Sequence, residues 1–159
     1  MTRVISLAFA ALIAVATPVL AQDLAFGTSR PDPNEPVAVE ADALAVNQED
    51  GTATFTGNVV ITQGDMVLSA ESVLVVYKED SQKIASLDAT GGVTMVSGED
   101  AAEAQNAQYD IDAGTVLLTG QVLLSQGDNV MSGDRITIDL NAGTAQAGGR
   151  VRTTLQTGN

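Results

Sequence analysis

The sequence predicts an all-β fold: a jelly-roll or solenoid-like body in which an antiparallel sheet folds over itself into two layers around an apolar interior. Three observations predict it. Runs rich in Val, Ile, Leu and Thr alternate apolar with polar residues, which is the period of a strand with one buried face. Turn signals punctuate these runs at short intervals. The runs also repeat along the chain.

The alternation is clear in two places. Ala53, Phe55, Gly57, Val59 and Ile61 fall on one face of an extended segment, and Thr52, Thr54, Thr56 and Asn58 on the other. Val116, Leu118, Gly120, Val122 and Leu124 repeat the first face. No helical period is present beyond residue 22. Turns are expected at Asp50-Gly51, Gln63-Gly64-Asp65, Ser97-Gly98-Glu99, Ala113-Gly114, Gln126-Gly127-Asp128 and Ala142-Gly143, because Gly, Asn, Asp and Ser supply the backbone angles and local hydrogen bonds that turns need.

The repeat has two interleaved units. Residues 55–65 read apolar, Thr, Gly, polar, Val, apolar, apolar, hydroxyl, Gln, Gly, Asp, and residues 118–128 match at every position. A looser copy spans 89–99, and a fragment returns at 148–151. Gly57, Gly91, Gly120 and Gly149 are spaced 34, 29 and 29 residues apart, which sets a unit of near-constant length. The second unit runs apolar, polar, small, acidic, any, apolar, any, apolar at 39–46, 68–75 and 131–138, and is weak around 103–109. The recurring glycine lies inside an apolar strand, where it permits a sharp bend. Strand, bend, strand, turn is the plan of a folded sheet, whose two open edges are templates for strand addition. Asp42, Glu71 and Asp134 recur by position. Solvation or bonding to nearby turn amides explains them most simply; the alternative is that they orient the bend or an edge.

The amino-terminal stretch reads as an address. Arg3 is followed by an apolar run over 5–15, a break at Pro18 and a small residue, Ala21, before Gln22. This is the layout of a secretory signal peptide cleaved between Ala21 and Gln22. The run is shorter than the roughly 20 residues a membrane span needs; an uncleaved anchor helix is the alternative. No Cys stands at the junction, which excludes a lipoprotein anchor. The expected organisation is a signal peptide over 1–21, a flexible lead-in over 22–36 carrying Pro31, Pro33 and Pro36, a β domain over 37–155 and a frayed tail over 156–159.

Composition narrows the chemistry. Without Arg3 the 7 basic residues become 6, against 20 acidic ones, for a net charge of −14. Such a field repels nucleic-acid phosphates, and nucleic acid is set aside as a partner. The chain has no His and no Cys, which removes the usual base near neutral pH, the thiolate nucleophile and the common zinc ligand sets. The pairs Glu49-Asp50, Glu79-Asp80 and Glu99-Asp100 fall at turns, where solvation accounts for them. A calcium ion held between acidic turns is the nearest metal reading, and the calcium-binding nonapeptide is absent. Gly91-Gly92 and Gly148-Gly149 lack the strand-to-helix setting of a phosphate loop. No catalytic residue, cofactor or metal is assigned, and the chain reads as a non-enzyme.

Function is expected on the apolar face. Val37, Val39, Phe55, Val59, Ile61, Leu68 and Val73 line it in the first half, and Met95, Tyr109, Ile111, Val122, Leu124, Ile136 and Ile138 in the second. A closed core and an open groove would use the same residues. Aliphatic side chains with few rings suit acyl chains, whose burial is worth about 0.8 kcal/mol per methylene.

Residues 36–42, Pro-Val-Ala-Val-Glu-Ala-Asp, followed by 53–64, Ala-Thr-Phe-Thr-Gly-Asn-Val-Val-Ile-Thr-Gln-Gly, closely resemble the OstA-like, or LptA, family of periplasmic lipopolysaccharide-transport proteins. Leu118-Thr119-Gly120 and residues 131–137 look like the second half of that pattern, so the resemblance covers about 36–153. It implies a twisted β-jelly-roll with a long apolar groove for the lipid A acyl chains of lipopolysaccharide. It implies head-to-tail self-association through edge strands, and a bridge between an LptC-like inner-membrane anchor protein and the amino-terminal domain of an LptD-like outer-membrane protein. The expected place is the periplasm after signal-peptide cleavage. The chain departs from the pattern in the short 78–83 loop, in the weak copy near Glu103 and in its scarcity of basic residues. Two alternatives stay open: a structural periplasmic β-solenoid with a closed interior, and an LptC-like inner-membrane member of the family.

Overall fold

The computed structural model describes residues 24–25 and 35–155. The expected signal peptide with its Ala21–Gln22 junction, most of the lead-in and the tail over 156–159 lie outside the described residues. Eleven strands follow in order: β1 (Leu24–Ala25), β2 (Ala38–Glu40), β3 (Ala43–Asn47), β4 (Thr52–Gln63), β5 (Met66–Tyr77), β6 (Ile84–Ser97), β7 (Asp100–Asp110), β8 (Thr115–Gln126), β9 (Asn129–Asp139), β10 (Thr144–Gly148) and β11 (Arg152–Thr154). All pairs are antiparallel, and from β4 to β10 each strand pairs with its neighbour in sequence. β2 and β3 both pair with β4, at its two ends, and β10 and β11 likewise share β9. Two residues of the lead-in, Leu24 and Ala25, pair with Ala145 and Thr144.

Turn chemistry sets the register. The hairpins after Gln63, Ser97 and Gln126 are two-residue turns that place Gly64, Gly98 and Gly127 first, with φ of 55°, 62° and 53°. A positive φ there matches the twist of the flanking strands. At the other ends of the strands, Asp110 and Asp139 accept hydrogen bonds from the backbone N–H of Ala113 and Ala142 at 2.9 and 2.8 Å. These short polar side chains act as turn templates.

The long strands bend in their middles. The pairing register shifts at Gly57-Asn58 in β4, Gly91-Gly92 in β6 and Gly120-Gln121 in β8, and Gly149-Arg150 stands between β10 and β11. Both residues of each pair have positive φ. An extra residue in one strand of a pair bends it and increases its twist, and here the bulges form one row across the sheet. The row divides the sheet into two layers. The β2 layer holds β2, residues 59–63, 66–69, 93–97, 100–104, 122–126 and 129–133, and β11. The β3 layer holds β3, residues 52–56, 72–77, 84–90, 106–110, 115–119 and 135–139, and β10 with β1.

Asp42 and Asp134 sit at this row and are exposed, so the recurring acidic residues are both solvated and set against the bends. The N–H of Asp42 donates to the Gly57 carbonyl at 2.9 Å, and Asn58 Nδ2 donates to Asp42 Oδ2 at 2.8 Å. The N–H of Asp134 donates to the Gly149 carbonyl at 3.2 Å, and Arg150 Nη2 reaches Asp134 Oδ1 at 3.0 Å. Glu71 lies against Gly91: a Cβ on that glycine would stand 2.6 Å from the Glu71 Cβ. The fourth position is Gln105, packed the same way against Gly120. The weak copy of the second unit is thus a full one over 102–109: its acidic residue is replaced by Gln105, and two of its apolar residues shrink to Ala102 and Ala107.

Candidate functional site

The inner faces of the two layers meet in one apolar cluster. Ten of the fourteen expected residues belong to it, and the other four pack against it. Val59, Ile61, Leu68, Met95, Val122 and Leu124 come from the β2 layer, and Val73, Tyr109, Ile136 and Ile138 from the β3 layer, all buried. Val37, Val39, Phe55 and Ile111 pack against the cluster and are half-buried. The expected lining omits Val75, Leu87, Val93, Met131 and Leu140, and also Val116 and Leu118, although the alternation places those two on the apolar face. Each sits on the inner alternation of its strand except Leu140, which follows β9, so the period-2 signal was available for the rest.

The interior is tight in its middle and open at the amino-terminal edge. Leu44 pairs with Phe55 and Val46 with Ala53, so both side chains share the inner face, because directly opposed residues project to the same side of a sheet. They are nevertheless 56% and 62% exposed: the β2 layer does not cover this end of the β3 layer. Leu44, Val46, Ala53, Phe55 and Tyr77, with the 78–82 loop, line a cleft of about 610 Å³. A second cleft, of about 470 Å³, lies between the lips of the two layers and touches Val37, Gln63, Ile84 and Ile111. Lys78 and Lys83 stand at its rim, with Lys78 Nζ 2.6 Å from Asp112 Oδ2.

A buried side-chain hydrogen bond joins the lips. Tyr109 Oη in the β3 layer donates to Gln63 Oε1 in the β2 layer at 3.1 Å, and Gln63 Nε2 donates to the Glu35 carbonyl at 3.2 Å. Burial pushes the Tyr109 hydroxyl pKa above its ordinary value, since removal from water penalises the phenolate. The exposed Arg150 is raised by its hydrogen bond to Asp134 and by that carboxylate's charge. Among the described residues no three carboxylates gather as a metal ion would require, and no helix is long and apolar enough to cross a membrane. The site as built is a packed apolar interior with clefts along its amino-terminal edge.

Comparison with known proteins supports a family assignment. A family model described as LptA/(LptD N-terminal domain) LPS transport protein matches residues 38–144. The lipopolysaccharide export system protein LptA of Haemophilus influenzae is 37% identical over 81 residues, covering 50% of this chain and 46% of that protein. LptA of Escherichia coli K12 is 29% identical over 95 residues, covering 56% and 51%. The chain therefore spans about half the length of the curated relatives it matches. Among solved structures, LptH of Pseudomonas aeruginosa, described as the LptA homologous periplasmic component of the lipopolysaccharide transport device, superposes with a TM-score of 0.73. That match has 21% identity and covers 80% of this chain and 99% of that one, so the two share the fold. With a family model spanning most of the β domain and an all-β antiparallel roll of the same fold, the chain belongs to the LptA/LptD amino-terminal-domain family of lipopolysaccharide transport proteins.

Proposed function

We propose that this chain is a non-catalytic periplasmic carrier that holds the lipid A acyl chains of lipopolysaccharide in its interior and passes them along a bridge from inner to outer membrane. The observation that carries the reading is the joining of fourteen aliphatic and aromatic positions into one interior with an uncovered apolar mouth at Leu44 and Val46. The names of its relatives agree with it. Delivery to the periplasm would follow cleavage after Ala21. The bridge partners would be an LptC-like anchor protein and the amino-terminal domain of an LptD-like protein. Either edge could serve such partners or a second copy: β2 and β3 at one edge, and β11, flanked by the exposed Val151 and Leu155, at the other.

Equilibrium binding of lipid A to the purified protein, beside a phospholipid control, tests the reading. Saturable binding that Leu44→Arg removes in a folded protein supports it. Affinity should change little with added salt, because apolar contact leads it. The near-complete burial of Val73, Met95, Ile136 and Ile138 favours a second reading, a scaffold with a closed core. Absence of binding to either lipid by well-folded protein would select it. Amino-terminal sequencing of the exported form separates both from an anchored, LptC-like protein: a start at Gln22 excludes the anchor, and a retained Met1 supports it.

A further inference from the structure

At the amino-terminal edge both layers end, among the described residues, on strands with a free side, β2 in one and β3 in the other. At the opposite edge only the β2 layer does, through β11 on β9. The β3 layer ends there on β10, and β1 pairs antiparallel with it, Leu24 against Ala145 and Ala25 against Thr144. The covering is partial. β1 reaches two of the five β10 residues, and Gln146, Ala147 and Gly148 are paired on the β9 side alone among the described strands.

Another strand of the same chain suits β10 better than β1 does. Every pairing from β4 to β10 is antiparallel, so β10 runs in the same direction as β4, and β3 runs opposite to both. A second copy set edge to edge in the same orientation would bring its β3 antiparallel to β10, the pairing that β1 now makes. By the same geometry its β2 would run antiparallel to β11. β3 and β10 both have five residues. Their inner faces agree as well: the exposed Leu44 and Val46 lie on that face of β3, and Ala145 and Ala147, opposite Ile138 and Ile136, on that face of β10. An edge strand left open is a template for pairing with another chain. We infer that β1 is a removable cap on β10, holding the place that β3 of a second copy would take, so that self-association through the β3 layer requires β1 to leave. The inference rests on the edge-association part of the reading above and not on the cargo. Joined to β2 by the same chain, β1 acts at the high effective concentration of an intramolecular partner, yet it offers only two residues of ladder against five. A rise in local protein concentration tips that balance toward β3.

The test is the self-association constant from sedimentation equilibrium, for protein beginning at Gln22 and for protein beginning at Gly27. The shorter chain lacks β1 and should associate about tenfold more tightly, the effect of freeing an edge held by one or two hydrogen bonds. Val46→Arg in the shorter chain should cancel the gain, because a charge on an edge strand opposes pairing. The inverse variant, Leu24→Cys with Ala145→Cys, puts two thiols on directly opposed residues of a chain that has no Cys of its own. Its oxidised form, with β1 locked on β10, should associate more weakly than wild type, and reduction should restore the wild-type constant. This variant decides the matter if the shorter chain fails to fold. Equal association by the long and short chains, or by oxidised and reduced protein, overturns the cap and leaves edge association intact. Weaker association by a folded short chain also overturns it, since β1 would then belong to the interface. Monomers throughout, the short chain included, overturn the cap and edge association together, and lipid A binding by those monomers would still uphold the carrier reading.

Discussion

Tyr109 and Gln63 are 46 residues apart in sequence, lie on opposite layers, and meet hydroxyl to amide oxygen at 3.1 Å. At 4% and 1% exposure the pair is shut away from water. A hydrogen bond made there is stronger than one in water, and its loss is costlier. Tyr109→Phe removes the donor and leaves Gln63 Oε1 without it. The expected loss is about 1–3 kcal/mol in denaturant unfolding, the penalty for a buried polar group stripped of its partner. Tyr109→Phe with Gln63→Leu together should cost less than the sum of the single changes, since neither partner is then stranded. Additive losses would show that the two residues do not act as a pair.

The same tyrosine predicts a pH dependence. An unfolded tyrosine releases its proton near pH 10, and burial holds the Tyr109 proton to higher pH. A group whose folded pKa is raised contributes fully below the unfolded value and loses that contribution as pH climbs through the folded one. The titration of Tyr109 should therefore add no pH dependence to thermal unfolding near neutrality, with stability dropping above about pH 10. Tyr109→Phe should flatten that drop; an unchanged drop would place its origin elsewhere.

The bends give a graded comparison. Gly92 and Gly120 both hold φ near +84°, at 85° and 83°, a region that costs other residues about 1–3 kcal/mol. A Cβ on Gly92 would meet nothing within 4 Å, whereas on Gly120 it would stand 2.8 Å from the Gln105 Cβ. Gly92→Ala should thus lose only the backbone term, and Gly120→Ala clearly more in urea unfolding. Equal losses would mean that the polar residues beside the bends do not confine them.

The mouth separates binding from stability. Leu44→Arg and Val46→Arg alter exposed side chains, so unfolding free energies should stay within about 0.5 kcal/mol of wild type. Lipid A affinity should nevertheless fall at least about tenfold, as a charge enters the apolar entrance. Unaltered affinity would move the entrance to the cleft beside Val37 and Ile111.

Much of this fold was legible because its signals are local. Alternation in 52–61 and 116–124 needs only neighbouring residues, and a glycine at each bend marks itself. The pairing of bend with polar residue was not legible. Asp42 contacts Asn58 across a strand pair, a relation that depends on where the two-residue bulge shifts the register. Gln105 hid for a simpler reason, since an amide can replace a carboxylate against Gly120 without preserving the pattern of charge. The aliphatic lining was found because it alternates. The burial of Gln63 and Ser97 was missed because both read as turn residues, and only strand pairing places them on one face with the buried Met66.

The ordering of the strands has a consequence for size. Because β5 to β8 each pair only with their sequence neighbours, the middle of the roll is close to a one-dimensional stack, in which each unit touches only the units beside it. Insertion or loss of one hairpin would change the interior's length by two strand spacings, about 10 Å, without disturbing the cross-section or either end. Capacity for cargo can therefore be lengthened or trimmed by duplication in steps of one hairpin, while the edges that meet other molecules stay the same.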